Sequence, residues 1–132
     1  MLLIGLAAGS CHKPVAGTLG QPVQVPIHRA LTFDGRDLEL YFLRVVSDSR
    51  CPKNVNCITA GEAVVILEGR VGKGAPETLE VRLSGGEGAS DTGTWTQYDG
   101  YRIRLLELEP YPVAGSARDT TAYAGTFLVQ NL

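Results

Sequence analysis

From Val23 to the C-terminus the apolar residues recur at every second position, and no stretch carries them at helical spacing. A chain patterned in this way makes strands, and strands with one apolar face must pair into sheets and cover that face. In "TLEVRL" the alternation places Leu79, Val81 and Leu83 inward, with Glu80 and Arg82 outward. "VQVPI" sets Val23, Val25 and Ile27 on one face, and its Pro26 predicts an edge strand because proline donates no ladder hydrogen bond. "EAVVILEGR" is nearly continuously apolar from Ala63 to Leu67, the mark of a central strand covered on both sides.

Turn chemistry supplies the connections. Asp34-Gly35 and Asp99-Gly100 each sit between apolar runs, and both turn residues tolerate positive φ, so each predicts a hairpin. After the first turn, Leu38, Leu40 and Phe42 share a face. After the second, Tyr101, Ile103 and Leu105 alternate with Arg102 and Arg104, and then the phase slips so that Leu106 and Leu108 become the apolar set. One extra residue near Leu105–Leu106, a β-bulge, accounts for the slip. Tyr123, Phe127 and Val129 mark a last strand. The expected fold is all-β: an antiparallel β-sandwich, immunoglobulin-like or related, of seven to eight strands.

The chain's 132 residues suit one domain, expected over 23–132. Its net charge of -2, with both signs mixed and no basic stripe, argues against nucleic-acid binding. Residues 11–22, "CHKPVAGTLGQP", are weakly patterned and predict a tether. Residues 1–10 are apolar or small, too short to span a bilayer, and resemble the end of a signal peptide. "LAAGSC" further resembles a bacterial lipobox, which makes Cys11 the expected lipidation site; a plain cleavable signal or a buried N-terminal strand are the alternatives.

The chain has three cysteines, Cys11, Cys51 and Cys57, and an odd number in an exported protein needs a reason. A lipidated Cys11 leaves an even pair. A zinc site would want four ligands, whereas the only histidines are His12 and His28. A redox pair would want C-x-x-C at a helix start. "CPKNVNC" instead has turn formers that let the chain double back, so a Cys51–Cys57 disulfide is the favoured reading over zinc and redox. A loop this short gains about 2 kcal/mol from closure.

The segment "VVSDSRCPKNVNCITAGEAVVILEG" resembles a pattern in uncharacterised small bacterial lipoproteins: a strand, D-S-R-C-P, a second Cys, A-G-E-A and another strand. Asp48, Ser49, Arg50, Cys51, Pro52, Cys57 and Ala60 to Ala63 carry the match, and "YRIRLLELEPYP" resembles the same family's last strands. Thr59 stands where those relatives often have Trp. The resemblance implies export and a lipid anchor, and it implies no activity.

Asp48-Ser49-Arg50 is the most suggestive triplet for binding, as polar groups on a stapled loop. The competing and favoured reading is local: Asp48 and Ser49 accept turn N–H groups, and Arg50 pairs with a carboxylate such as Glu62. Trp95, Tyr98 and Tyr101 flank a turn and are candidates for an aromatic binding patch, with packing in the core or on the sheet the favoured alternative. No catalytic residue, metal ligand or cofactor is expected. His28 lacks a G-x-S-x-G partner for a serine hydrolase, and Glu107 and Glu109 read as a solvated strand face. The expected protein is an exported, membrane-anchored lipoprotein facing periplasm or exterior. It acts as a non-catalytic binding module for an envelope protein or small ligand and touches membrane through its lipid only. A small envelope hydrolase is the rival, and a peptidase inhibitor using loop 84–94 or 112–120 ranks lower. A pocket joining His28 to a Ser and a carboxylate would favour the hydrolase; an open apolar patch beside the cysteine loop would favour binding.

Overall fold

The structure, a computed structural model, describes residues 13–84, 94–116 and 119–132. Cys11, the leader 1–10 and most of loop 84–94 lie outside them. Nine strands form: β1 (Val15–Gly17), β2 (Val23–Pro26), β3 (Ala30–Phe33), β4 (Leu38–Asp48), β5 (Glu62–Val71), β6 (Glu77–Ser84), β7 (Thr96–Tyr98), β8 (Tyr101–Glu109) and β9 (Ala124–Asn131). They make a five-stranded sheet, β1-β3-β4-β5-β6, and a four-stranded sheet, β2-β9-β8-β7. The all-β sandwich is as expected, but the described residues form nine strands rather than seven or eight.

The surplus lies in short strands. Val15–Gly17 falls inside the expected tether yet pairs with β3, through Val15↔Leu31 and Gly17↔Phe33. That pairing is parallel, so the larger sheet is mixed. β3 to β6 follow one another as a meander, unlike the interleaved Greek-key order of the immunoglobulin fold.

The core is the alternating set read from the sequence. Leu38, Leu40, Phe42, Ala63, Val65, Leu67, Leu79, Val81 and Leu83 from one sheet face Val25, Ile103, Leu105, Leu108, Phe127 and Val129 from the other. Phe42 and Phe127 meet edge to face across the sheets, ring centroids 5.6 Å apart. Such a pair adds about 0.5–1.5 kcal/mol beyond its buried area. Val64 and Ile66 are also buried, outside that core, with Arg82, Glu80 and Arg44 as cross-strand neighbours. Long charged side chains cover apolar surface with their stems, which explains why this strand reads apolar on both faces.

Most of the local expectations hold, though Leu106, expected in the apolar set with Leu108, is only half-buried and outside the core. Pro26 lies on the edge strand β2. The register of β8 on β9 slips between Leu105 and Glu107, leaving Leu106 as the bulged residue. Asp99 and Gly100 have φ of 48° and 84° and close a two-residue type I′ hairpin with Tyr98 opposite Tyr101. The Asp34-Gly35 hairpin forms differently. Only Gly35 takes positive φ, 72°, and Arg36 N–H closes the turn on the Phe33 carbonyl, because the loop runs four residues rather than two.

Candidate functional site

β4 carries two register shifts against β5, between Phe42 and Arg44 and between Val45 and Ser47. These bulges twist the end of β4 so that Asp48 faces the second sheet. The chain leaves the strand there, and Arg50 folds back over it. Arg50 Nε and Nη2 donate to the two oxygens of Asp48 at 2.7 and 2.8 Å. Arg50 Nη1 donates to the Leu108 carbonyl at 2.7 Å and Nη2 to that of Pro110 at 3.2 Å. Tyr123 O–H donates to Asp48 Oδ2 at 2.9 Å, and the Tyr111 ring lies 4.7 Å from the guanidinium. Both partners of the ion pair are 2% exposed in their side chains. Burial acts to raise the Asp48 carboxyl, but hydrogen bonds and charge from Arg50, with Tyr123 adding, outweigh it and hold the group below the usual carboxylate range.

The triplet is therefore a clasp between sheets. Arg50 pairs with Asp48, not with Glu62 as expected; Glu62 instead pairs with Arg82 on the outer face, at 2.7 Å. The alternation of a strand cannot show this, since Arg50 lies past the strand end and its acceptors come from residues 58 and 60 positions away. Ser49 serves the turn as expected: its Oγ donates to the Glu62 carbonyl and accepts from Glu62 N–H.

Cys51 and Cys57 form the disulfide, with Cα atoms 5.9 Å apart. The loop that it closes is fixed to its surroundings at several points. Cys51 N–H donates to the Ala60 carbonyl, and Tyr111 O–H donates to the Cys51 carbonyl at 2.9 Å. Asn54 brackets Ala114, accepting from its N–H at 3.0 Å and donating to its carbonyl at 3.5 Å. Lys53 N–H reaches the Pro112 carbonyl at 3.2 Å. Gly61 has φ of 73°, and a Cβ there would run into the Ser49 carbonyl, so only glycine closes the base of the loop.

On this braced pair of loops, apolar side chains face solvent. Ile58 is 105% exposed, Val55 43% and Val113 44%. The sequence reading missed these three residues. Their signal was present: branched apolar residues inside a turn-rich segment have no strand through which to reach the core.

A groove of about 390 Å³ adjoins the clasp, lined by Ile27, His28, Arg44, Ser47, Asp48 and Thr121 among others. It brings His28 into one pocket with a serine and a carboxylate, but not as a triad. Both Asp48 oxygens accept from Arg50 and Tyr123, and among the described residues the His28 ring makes no hydrogen bond. A catalytic histidine needs its acid to orient it. Among the described residues no cluster of three or more His, Cys, Asp or Glu is placed to hold a metal ion.

Of the three aromatic candidates, Tyr98 and Tyr101 lie opposite each other on the core side of the hairpin, and Trp95 lies apart. Tyr98 is buried in the core at 8% exposure, and burial pushes its hydroxyl up. Tyr101 packs at the edge of the core, and its hydroxyl oxygen accepts from Arg36 Nη1 at 3.4 Å. Trp95 lies on the outer face of the second sheet against Arg102. Comparison with known proteins finds no matching family model, no similar curated protein and no similar solved structure.

Proposed function

We propose that this chain is a non-catalytic binding module of the bacterial cell envelope, lipid-anchored through Cys11, which engages a protein partner with the end of the sandwich formed by the cysteine loop and the 110–116 loop. One observation carries the reading: Val55, Ile58 and Val113 are held exposed on loops that a disulfide, a buried ion pair and the Asn54 bracket make rigid. Apolar side chains that are ordered before binding lose little entropy when a partner covers them. The disulfide is compatible with export. The lipobox-like "LAAGSC" and the resemblance of the D-S-R-C-P segment to small bacterial lipoproteins support the anchor.

The test is a photo-cross-linking residue placed at position 58 in living cells, with one at Lys73 on the turn at the opposite end of β5 as control. A discrete cross-linked protein from position 58 alone supports the reading. Identical patterns from the two positions, or no product, sink it. Ester hydrolysis by the purified domain that disappears in Ser47→Ala would put the hydrolase in its place.

A further inference from the structure

Arg102 and Arg104 are two positions apart on β8, so both project from the outer face of the second sheet. On the β9 side Arg102 pairs with Gln130 and Arg104 with Leu128. On the β7 side Gln97 pairs with Arg102 and Thr96 with Ile103, and the same register carried one residue further sets Trp95 against Arg104. Arg102 is satisfied: its Nε and Nη2 donate to Gln130 Oε1 at 3.2 and 2.8 Å, and its guanidinium lies 4.3 Å from the Trp95 ring centroid. Arg104 lies 5.6 Å from the same ring, and its Nε and Nη2 are shielded from solvent with no acceptor among the described residues. Among the described residues no carboxylate forms an ion pair with either arginine.

This arrangement is unfavourable as it stands. Two like charges share one strand face, and two buried N–H donors go without acceptors. The π face of Trp95 attracts a cation but offers no in-plane lone pair to an N–H donor. Nε and Nη2 form one edge of the guanidinium, with two parallel donors that match two oxygens of a single anion. The covering element is light: Trp95 is only half-buried and precedes a strand of three residues, so its ring can swing without disturbing a ladder.

We infer that Arg104, flanked by Arg102 and gated by the Trp95 ring, is a binding site for an oxyanion, the carboxylate, sulfate or phosphate group of a small ligand. The anion takes the two donors of Arg104, Arg102 adds a second positive charge, and the ring moves aside. The site lies on a sheet face, distinct from the loop surface of the proposed partner contact, and does not depend on it.

Trp95 is the chain's single tryptophan, so its emission reports on this site alone. The purified protein is titrated with sodium phosphate, sulfate and acetate, against sodium chloride at matched ionic strength. A saturable change in emission, with a midpoint about tenfold or more weaker in Arg104→Gln and unchanged in Arg82→Gln on the other sheet, is the expected result. Arg104→Lys keeps the charge but loses the two-donor edge, and is expected to weaken binding as well. Because these substitutions also alter the surroundings of the ring, the thermal midpoint is read in parallel. Phosphate raises it in the wild type and Arg82→Gln, but not in Arg104→Gln. A response that chloride reproduces, or a midpoint indifferent to both Arg104 variants, overturns the inference.

Discussion

Replacing Arg50 with methionine tests the clasp most directly. The substitution keeps an apolar stem and removes the guanidinium. It takes the Arg50 cation away from the Asp48 carboxylate, 2% exposed, and it strips partners from the Leu108 and Pro110 carbonyls. Deleting one partner of a buried pair costs about 3–5 kcal/mol. Against a total stability of about 5–15 kcal/mol the fold survives, with a fall in Tm of roughly 10–20 °C. Urea unfolding followed by circular dichroism measures the loss. Replacing both partners, Asp48→Leu with Arg50→Met, removes the buried carboxylate as well and is expected to recover most of the loss, to within about 1–2 kcal/mol of wild type. The pH dependence supplies a second check. In the wild type the Asp48 carboxyl is held below its unfolded value, so its contribution is present above the unfolded pKa and is lost as pH falls through the folded one. Without Arg50 the folded value rises relative to wild type, so acid costs the variant less. The deficit of Arg50→Met should therefore be smaller at about pH 4 than at about pH 7. A deficit under about 1 kcal/mol, equal at both pH values, would refute the clasp.

Three further outcomes follow from the loop pair. Cys51→Ser with Cys57→Ser should cost about 2 kcal/mol by denaturant titration and should open residues 52–56 to limited proteolysis while the sheets persist. Gly61→Ala should cost more than about 2 kcal/mol in the same assay, because it combines a left-handed backbone with a collision at the Ser49 carbonyl. Ile58→Asp should leave the unfolding midpoint within about 0.5 kcal/mol of wild type, since the side chain is fully exposed, yet abolish the cross-link from a probe placed at Val55.

Much of the architecture was legible because strand periodicity is a local signal. The inward set of β6, the doubly buried β5, the Pro26 edge, the Asp99-Gly100 turn and the Leu106 bulge each follow from a few neighbouring residues. β1 was not legible: Val15–Gly17 has no pattern of its own, and its strand character comes from β3, which lies beyond β2 in the chain. The site was legible in part. The disulfide and the role of Ser49 depend on residues near in sequence. The partner of Arg50 depends on where Leu108 and Pro110 are brought, and only tertiary structure decides that. The aromatic trio was separable in hindsight, since Tyr98 and Tyr101 close a hairpin whose alternate faces look to the core and to solvent.

The placement of β9 has a consequence for the order in which the molecule is made. β3 to β6 join sequential neighbours and can zip as they leave the ribosome or a translocation pore. The other sheet cannot: β9 inserts between β2 and β8, pairing Val23 with Phe127, far apart in sequence. Until residues 124–131 arrive, β8 presents a bare edge, a template for pairing with other chains. Tyr123 reaches Asp48 only in that last step. Full assembly of the clasp thus waits for β9, and a chain halted just short of β9 carries a formed first sheet, an unclosed sandwich and an edge open to aggregation.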